Sequence, residues 1–134
     1  MTFPQTAAKI LAVDDEPDFE LLLTQRFRRQ IREGKFTFRF ARDGEEALMA
    51  LAAEPDIDLI LLDINMPVMD GLEFVRNLGT VENAKGVPVV MITTEGSESH
   101  VVEALSAGAR GYIRKPFTPE QVKEHVVPVI GKKP

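Results

Sequence analysis

Short apolar runs alternate along the chain with segments of helical periodicity, and this alternation restricts the possible folds. Five strand-sized runs occupy residues 9–13, 36–41, 59–62, 88–93 and 111–114. The intervening stretches place apolar residues three and four positions apart, as amphipathic helices do. Five successive βα units predict an α/β fold with a parallel sheet and helices on both faces. The strands are strongly apolar, which fits burial of the sheet on both sides.

Local signals predict where several helices begin and end. Phe19, Leu22, Leu23, Phe27 and Ile31 follow helical spacing and indicate a first helix. A helix is also expected around residues 72–78 and another around residues 101–109, the latter ending near residue 108.

Two further helices carry capping patterns. Asp43 and Glu46 form a D-x-x-E pattern that predicts the start of one helix. Thr118, Pro119 and Gln121 predict the start of the last one. Pro128 lies inside that last helix, where a proline costs about 3 kcal/mol, so the helix is expected to stop or bend near Val127.

Length and composition favour one globular domain. The 134 residues are expected to form a single domain over 1–134, with a core over about 8–130. A net charge of −5 argues against a general nucleic-acid or membrane-surface binder. Cysteine is absent, which excludes disulfides and thiolate metal sites. No apolar run approaches the roughly 18 residues of a membrane span, and the expected location is the cytoplasm.

Polar residues follow the predicted strands at the edge where open parallel sheets bind ligands. Asp14 and Asp15 follow the first strand, Asp63 ends the third, Thr93 and Thr94 end the fourth, and Lys115 and Pro116 follow the fifth. Two carboxylates at about 4 Å repel by roughly 4 kcal/mol at an effective dielectric near 20, so a shared cation is expected.

The residue types at this edge indicate a phosphoryl group. Hard oxygen ligands suit Mg²⁺. Lys115 and Thr93 are suited to bind phosphoryl oxygens. Asp63 is then the candidate nucleophile, because aspartyl-phosphates are established covalent intermediates.

Four motifs, taken in their order along the chain, resemble those of one protein family. They are VDDEP at 13–17, LLDINMPVMDG at 61–71, MITTEG at 91–96 and GYIRKPF at 111–117. Together the motifs are similar to those of the receiver domain of two-component response regulators, especially the single-domain chemotaxis type. The resemblance covers nearly the whole chain and implies a flavodoxin-like sheet of order 2-1-3-4-5 with five helices.

The resemblance also implies roles for individual residues. Asp63 would accept a phosphoryl group from a histidine kinase. Asp15, Asp63 and the backbone carbonyl of Asn65 would bind Mg²⁺ directly, and Asp14 would bind it mainly through water. Thr93, Thr94 and Lys115 would hold the phosphoryl group, and Tyr112 would be the switch aromatic. The bond between Lys115 and Pro116 would be a structural cis peptide.

Partners are implied in the same way. A histidine kinase or phosphotransfer protein would supply the phosphoryl group, and an unknown output protein would read it. The face formed by the fourth helix, fifth strand and fifth helix would bind that protein or mediate a weak dimer of an otherwise monomeric chain. Neither direct nucleic-acid binding nor membrane binding is expected, and the chain would be a signalling phosphoacceptor and not an enzyme.

Other readings of the same residues remain open. A haloacid dehalogenase-type phosphatase would need a second aspartate where Asn65 stands. A receiver excised from a longer regulator, or a receiver used only for docking, would share most of these motifs.

One stretch departs from the family pattern. Residues 26–42 contain seven basic side chains and one acid, Glu33, giving +6 locally and therefore −11 elsewhere. A solvated face is the simplest explanation, and a docking patch for an acidic partner is the alternative.

Overall fold

The computed structural model describes residues 8–16, 18–54, 56–63, 77, 86–93, 102, 105–106, 109–114 and 118–130. The strands are β1 (Ala8–Val13), β2 (Phe36–Ala41), β3 (Leu59–Asp63), β4 (Val89–Thr93) and β5 (Gly111–Arg114). The helices are α1 (Phe19–Arg26), α2 (Arg28–Arg32), α3 (Gly44–Ala53) and the C-terminal helix (Pro119–Ile130). No helix in these ranges combines the length and apolar character of a membrane span.

The strands form one sheet of order β2-β1-β3-β4-β5, and all four pairings are parallel. Alternate residues of the strands point to opposite faces of the sheet and belong to two hydrophobic cores. Leu11, Leu62 and Met91 belong to the core that includes α3 residues such as Leu51. The opposite core contains residues of α1 and the C-terminal helix. Helices therefore cover both faces, and the predicted architecture is confirmed.

Aromatic packing fixes α1 on the edge strand β2. The Phe27 ring lies 5.2 Å from that of Phe38 and 5.7 Å from that of Phe36, centroid to centroid. Phe19 meets Phe40 edge-on at 6.5 Å. These contacts bury the apolar face of α1 and set its direction, running away from the carboxyl ends of the strands.

The first helix differs from its prediction in two ways. Leu22 is 56% exposed, because residues 22 and 23 are adjacent on a helix and only Leu23 faces the core. The backbone of Phe27, with φ −102° and ψ 15°, also divides the helix into α1 and α2. The expected count of five helices is therefore slightly off, because the connection between β1 and β2 contains two helical segments where one was expected.

Both predicted capping patterns are present. The Asp43 carboxylate accepts a hydrogen bond from the Glu46 N–H at 2.9 Å, and α3 follows. The Thr118 hydroxyl accepts from the Gln121 N–H at 3.3 Å, while the Gln121 side chain accepts from the Thr118 N–H at 2.8 Å. These reciprocal bonds satisfy helix N–H groups that would otherwise lack partners.

The expected stop near Val127 is wrong, because the C-terminal helix continues to Ile130, and the alternative of a bend there stays a prediction. Pro128 removes one N–H donor, and only two helical residues follow it. A helix capped at Thr118 and anchored by fully buried Val122 tolerates that loss within its final turn. The helices expected around residues 72–78 and 101–109 lie largely outside the described residues, and so does residue 108.

Candidate functional site

Neighbouring strands deliver two aspartates to the same edge of the sheet. Asp63 is the last residue of β3, and Asp14 directly follows β1. Val13 pairs with Leu62 in the parallel ladder, so the two aspartates follow paired positions. Every residue of β3 before Asp63 is fully buried. The acceptor candidate therefore stands at the end of an immobilised central strand.

Three carboxylates converge at this edge. Asp14, Asp15 and Asp63 each offer one carboxylate oxygen, and these oxygens lie within 4.8 Å of one another. Asp14 is 3% exposed and Asp63 9% exposed, whereas Asp15 faces solvent. No other group of three or more potential metal ligands occurs among the described residues. The three predicted carboxylates are therefore brought together.

Local hydrogen bonds orient Asp14. Its Oδ1 accepts from the Glu16 N–H at 2.9 Å, and its own N–H donates to the Ala41 carbonyl at 3.1 Å. The first bond is an Asx-type turn, which an aspartate two residues before an N–H commonly forms. The strand pattern does not predict this bond, although the turn preference of aspartate could have indicated it.

The donor set fits a hard divalent cation. Only carboxylate oxygens converge, and Mg²⁺ prefers oxygen ligands at about 2.0–2.1 Å while retaining several waters. A span of up to 4.8 Å between ligand atoms is wider than two direct ligands in adjacent positions require. The cluster thus suits an ion that one or two carboxylates bind directly and that water links to the remainder. Asp15, the exposed member, leaves a side open to solvent.

Two other predicted residues lie at or near this edge. Asp63 pairs with Ile92, so Thr93 ends β4 one residue beyond the level of Asp63. Tyr112 lies in β5, pairs with Met91, and is 54% exposed. Asn65, Thr94, Lys115 and Pro116 lie outside the described residues, and the roles expected for them stay predictions.

Comparisons with known proteins match this arrangement. Residues 10–127 match the model of the response regulator receiver domain. The chain is 37% identical over 123 residues to the chemotaxis protein CheY1 of Helicobacter pylori, covering 92% of this chain and 97% of that protein.

Solved structures agree with these sequence matches. The chemotaxis protein CheY4 of Vibrio cholerae superposes with a TM-score of 0.76 at 34% identity, over 92% of this chain and 98% of that one. The receiver domain of a Pseudomonas aeruginosa sensor histidine kinase superposes with a TM-score of 0.77 at 26% identity, over 94% of this chain and 99% of that one. That structure contains a magnesium ion coordinated in the active-site cleft.

The family match spans most of the chain, and the fold and the acidic edge agree with it independently. The sheet has the expected order, and three carboxylates meet where β1 and β3 end. This chain is a member of the response regulator receiver domain family, similar to the chemotaxis regulators of the CheY type.

Proposed function

We propose that this chain is a phosphoacceptor response regulator in which Asp63 receives a phosphoryl group from a phosphohistidine of a histidine kinase or phosphotransfer protein. The observation that carries the proposal is the convergence of Asp14, Asp15 and Asp63 within 4.8 Å at one sheet edge. Asp63 alone of the three terminates a buried strand, which gives it the most fixed position.

The proposed reaction is a phosphoryl transfer between two side chains. A carboxylate oxygen of Asp63 attacks phosphorus, a P–O bond forms, and the P–N bond to the donor imidazole breaks with its electron pair returning to the ring nitrogen. Asp14, Asp15, Asp63 and the backbone carbonyl of Asn65 would hold Mg²⁺, which neutralises charge on the phosphoryl oxygens when bound. The chain's own contribution is a positioned nucleophile.

The remaining site residues are proposed to bind and report the phosphoryl group. Thr93, Thr94 and Lys115 would hold its oxygens, and Pro116 would shape the backbone after Lys115. Exposed Tyr112 would change its surroundings as Thr93 engages the phosphoryl group, because a switch needs two arrangements that the ligand favours unequally.

The output of this switch is proposed to be a partner protein and not a reaction on a free substrate. The partner would bind the face formed by β5, the C-terminal helix and the helix expected around residues 101–109. The same face would support a weak dimer, and we propose the cytoplasm as the location.

Intact mass spectrometry after incubation with acetyl phosphate and Mg²⁺ tests the proposal. We expect one added phosphoryl group on the wild type, lost on chelation of Mg²⁺ and absent from Asp63→Asn. Asp56→Asn is the matched control, because Asp56 is exposed and its side chain pairs with Lys9 away from the cluster. An adduct of equal yield in Asp63→Asn, or none in the wild type, would overturn the assignment of Asp63.

A further inference from the structure

Basic side chains concentrate at one end of the first crossover connection. Of the seven basic residues from 26 to 42, Arg26 ends α1. Arg39 projects with Ala41 toward the α3 side of β2 and pairs with Glu54 at 3.7 Å. Arg42 lies at the start of α3, at the opposite edge of the sheet. The four basic residues of α2 and the following turn form what we call the α2 basic surface: Arg28, Arg29, Arg32 and Lys35.

Little acidic charge balances the α2 basic surface. Glu33 lies 3.3 Å from Arg29 and 3.4 Å from Lys35, and the side chains of these two basic residues are 80% and 59% exposed. Within the described part of the chain, Arg28 and Arg32 form no ion pair. They stand four residues apart on the helix, where like charges destabilise it. The four basic side chains and Glu33 therefore give the surface a net charge of +3.

The α2 basic surface is remote from the acidic cluster. The Lys35 carbonyl accepts the N–H of Ala8, the first residue of β1, whereas Asp14 follows the last one. Six residues at about 3.3 Å each separate the two ends by roughly 20 Å. The Debye length at physiological salt is about 8 Å, so charge at one end is largely screened from the other.

Apolar side chains border the α2 basic surface. Leu21 and Leu22 are 59% and 56% exposed. Both leucines lie in α1, which ends at Arg26, and α2 begins two residues later with Arg28. The exposed leucines therefore precede the basic helix directly along the chain. Exposed leucines beside arginines suit a protein partner, since leucine gains little from a phosphate backbone.

The negative charge on the rest of the chain favours a short acidic partner segment over an extended polyanion. The residues outside 26–42 sum to −11. An extended polyanion, such as a duplex or an anionic membrane, would be brought against this acidic remainder. A short acidic protein segment would contact only the basic end.

We propose that the α2 basic surface, bordered by Leu21 and Leu22, docks an acidic segment of a partner protein independently of the phosphorylation of Asp63. The complementary segment would carry Glu or Asp beside apolar residues. Such a site would hold a partner on the domain in both signalling states.

Fluorescence anisotropy with a labelled synthetic helix bearing Glu and Leu on one face tests this proposal. We expect saturable, salt-sensitive binding that Arg28→Glu/Arg32→Glu weakens by about tenfold or more, because two attractions become repulsions. The matched control, Arg42→Glu/Arg110→Glu, changes the same net charge at exposed positions elsewhere and should bind within about twofold of the wild type. Asp63→Asn should bind as the wild type does.

Four results would overturn the proposal. They are no saturable binding of the helix, equal weakening in the control variant, dependence on Asp63, and tighter binding to duplex DNA or phosphatidylserine vesicles than to the helix. Arg28→Gln/Arg32→Gln, which adds no acid, should lose less affinity than the reversal. Circular dichroism of each variant ensures that weakened binding is compared between folded proteins.

Discussion

Each carboxylate of the acidic cluster owes its position to a different local cause. Asp63 is carried by β3, whose preceding residues are fully buried. Asp14 is held by hydrogen bonds on both sides of its backbone turn. Asp15 follows it into solvent. Two of the three carboxylates, those of Asp14 and Asp63, are therefore held in buried positions, and the third faces solvent.

At the same scale, Glu33 reports on the charge of the α2 basic surface. The hydrogen bond from Arg29, helped by Lys35, lowers the pKa of the Glu33 carboxyl below its ordinary 4.5. Because the folded-state pKa is lowered, the stabilising contribution is complete above the unfolded value and disappears as pH falls through the folded one. The affected range therefore lies below about pH 4.5.

We expect Arg29→Gln to raise the Glu33 pKa toward its ordinary value, since it removes the strongest of these contacts. Carbon-detected NMR titration of the Glu33 side chain measures the change directly. Lys35→Gln is the comparison variant and should raise the pKa less. An unchanged Glu33 pKa in Arg29→Gln would show that the ion pair does not persist in solution.

At the scale of elements, two side chains cap the start of α3. Asp43 accepts the Glu46 N–H, and the Glu46 carboxylate accepts the Arg42 N–H at 3.2 Å. Asp43→Ala should lower the free energy of unfolding by about 1 kcal/mol, the usual cost of losing such a cap. Asp43→Asn retains an acceptor and should lose only a few tenths of that. Urea denaturation compares the two variants, and equal stability of Asp43→Ala and wild type would contradict this role of the cap.

Several elements were predictable because independent local signals agreed. β2 and β5 have their predicted bounds, where apolar runs end at turn residues, and the caps at Asp43 and Thr118 are where their motifs indicated. The strand order came from the family resemblance, since no local signal contains it.

Tertiary packing explains the elements that differed. Leu22 and Leu23 both fit the helical spacing, but of the two only Leu23 is buried in the core. The break at Phe27 follows packing of its ring against β2, which no spacing rule contains. The proline penalty describes an isolated helix interior, whereas Pro128 lies in the last turn of an anchored one.

The acidic cluster was predictable from the sequence for a topological reason. Parallel strands all end at the same edge, and β1 and β3 are neighbours in the sheet, so Asp14 and Asp63 lie close together. The shared edge was predictable from local signals, whereas the adjacency of β1 and β3 came from the family resemblance. The Asx-type bond that orients Asp14 depends on the backbone conformation after β1, which the strand pattern leaves undetermined.

At the scale of the whole molecule, one aromatic side chain can report the proposed change of state. The chain has one tyrosine and no tryptophan, so its intrinsic tyrosine fluorescence comes from Tyr112 alone. Tyr112 is 54% exposed. We expect beryllium fluoride with Mg²⁺ to change the emission and to reduce quenching by iodide, as the ring becomes less accessible to solvent.

Asp63→Asn is the control for this measurement and should show neither change. Equal quenching of the wild type with and without beryllium fluoride would separate Tyr112 from the switch and leave the assignment of Asp63 to be judged by mass spectrometry.

The placement of Asp63 at the end of a central strand also matters for protein engineering. β3 pairs with β1 on one side and β4 on the other, and a shift of one residue would exchange the environments of all its side chains. Exposed residues on α2 or β5 can be exchanged without moving Asp63. Surface substitutions could therefore direct this domain to new partner proteins while Asp63 keeps its position.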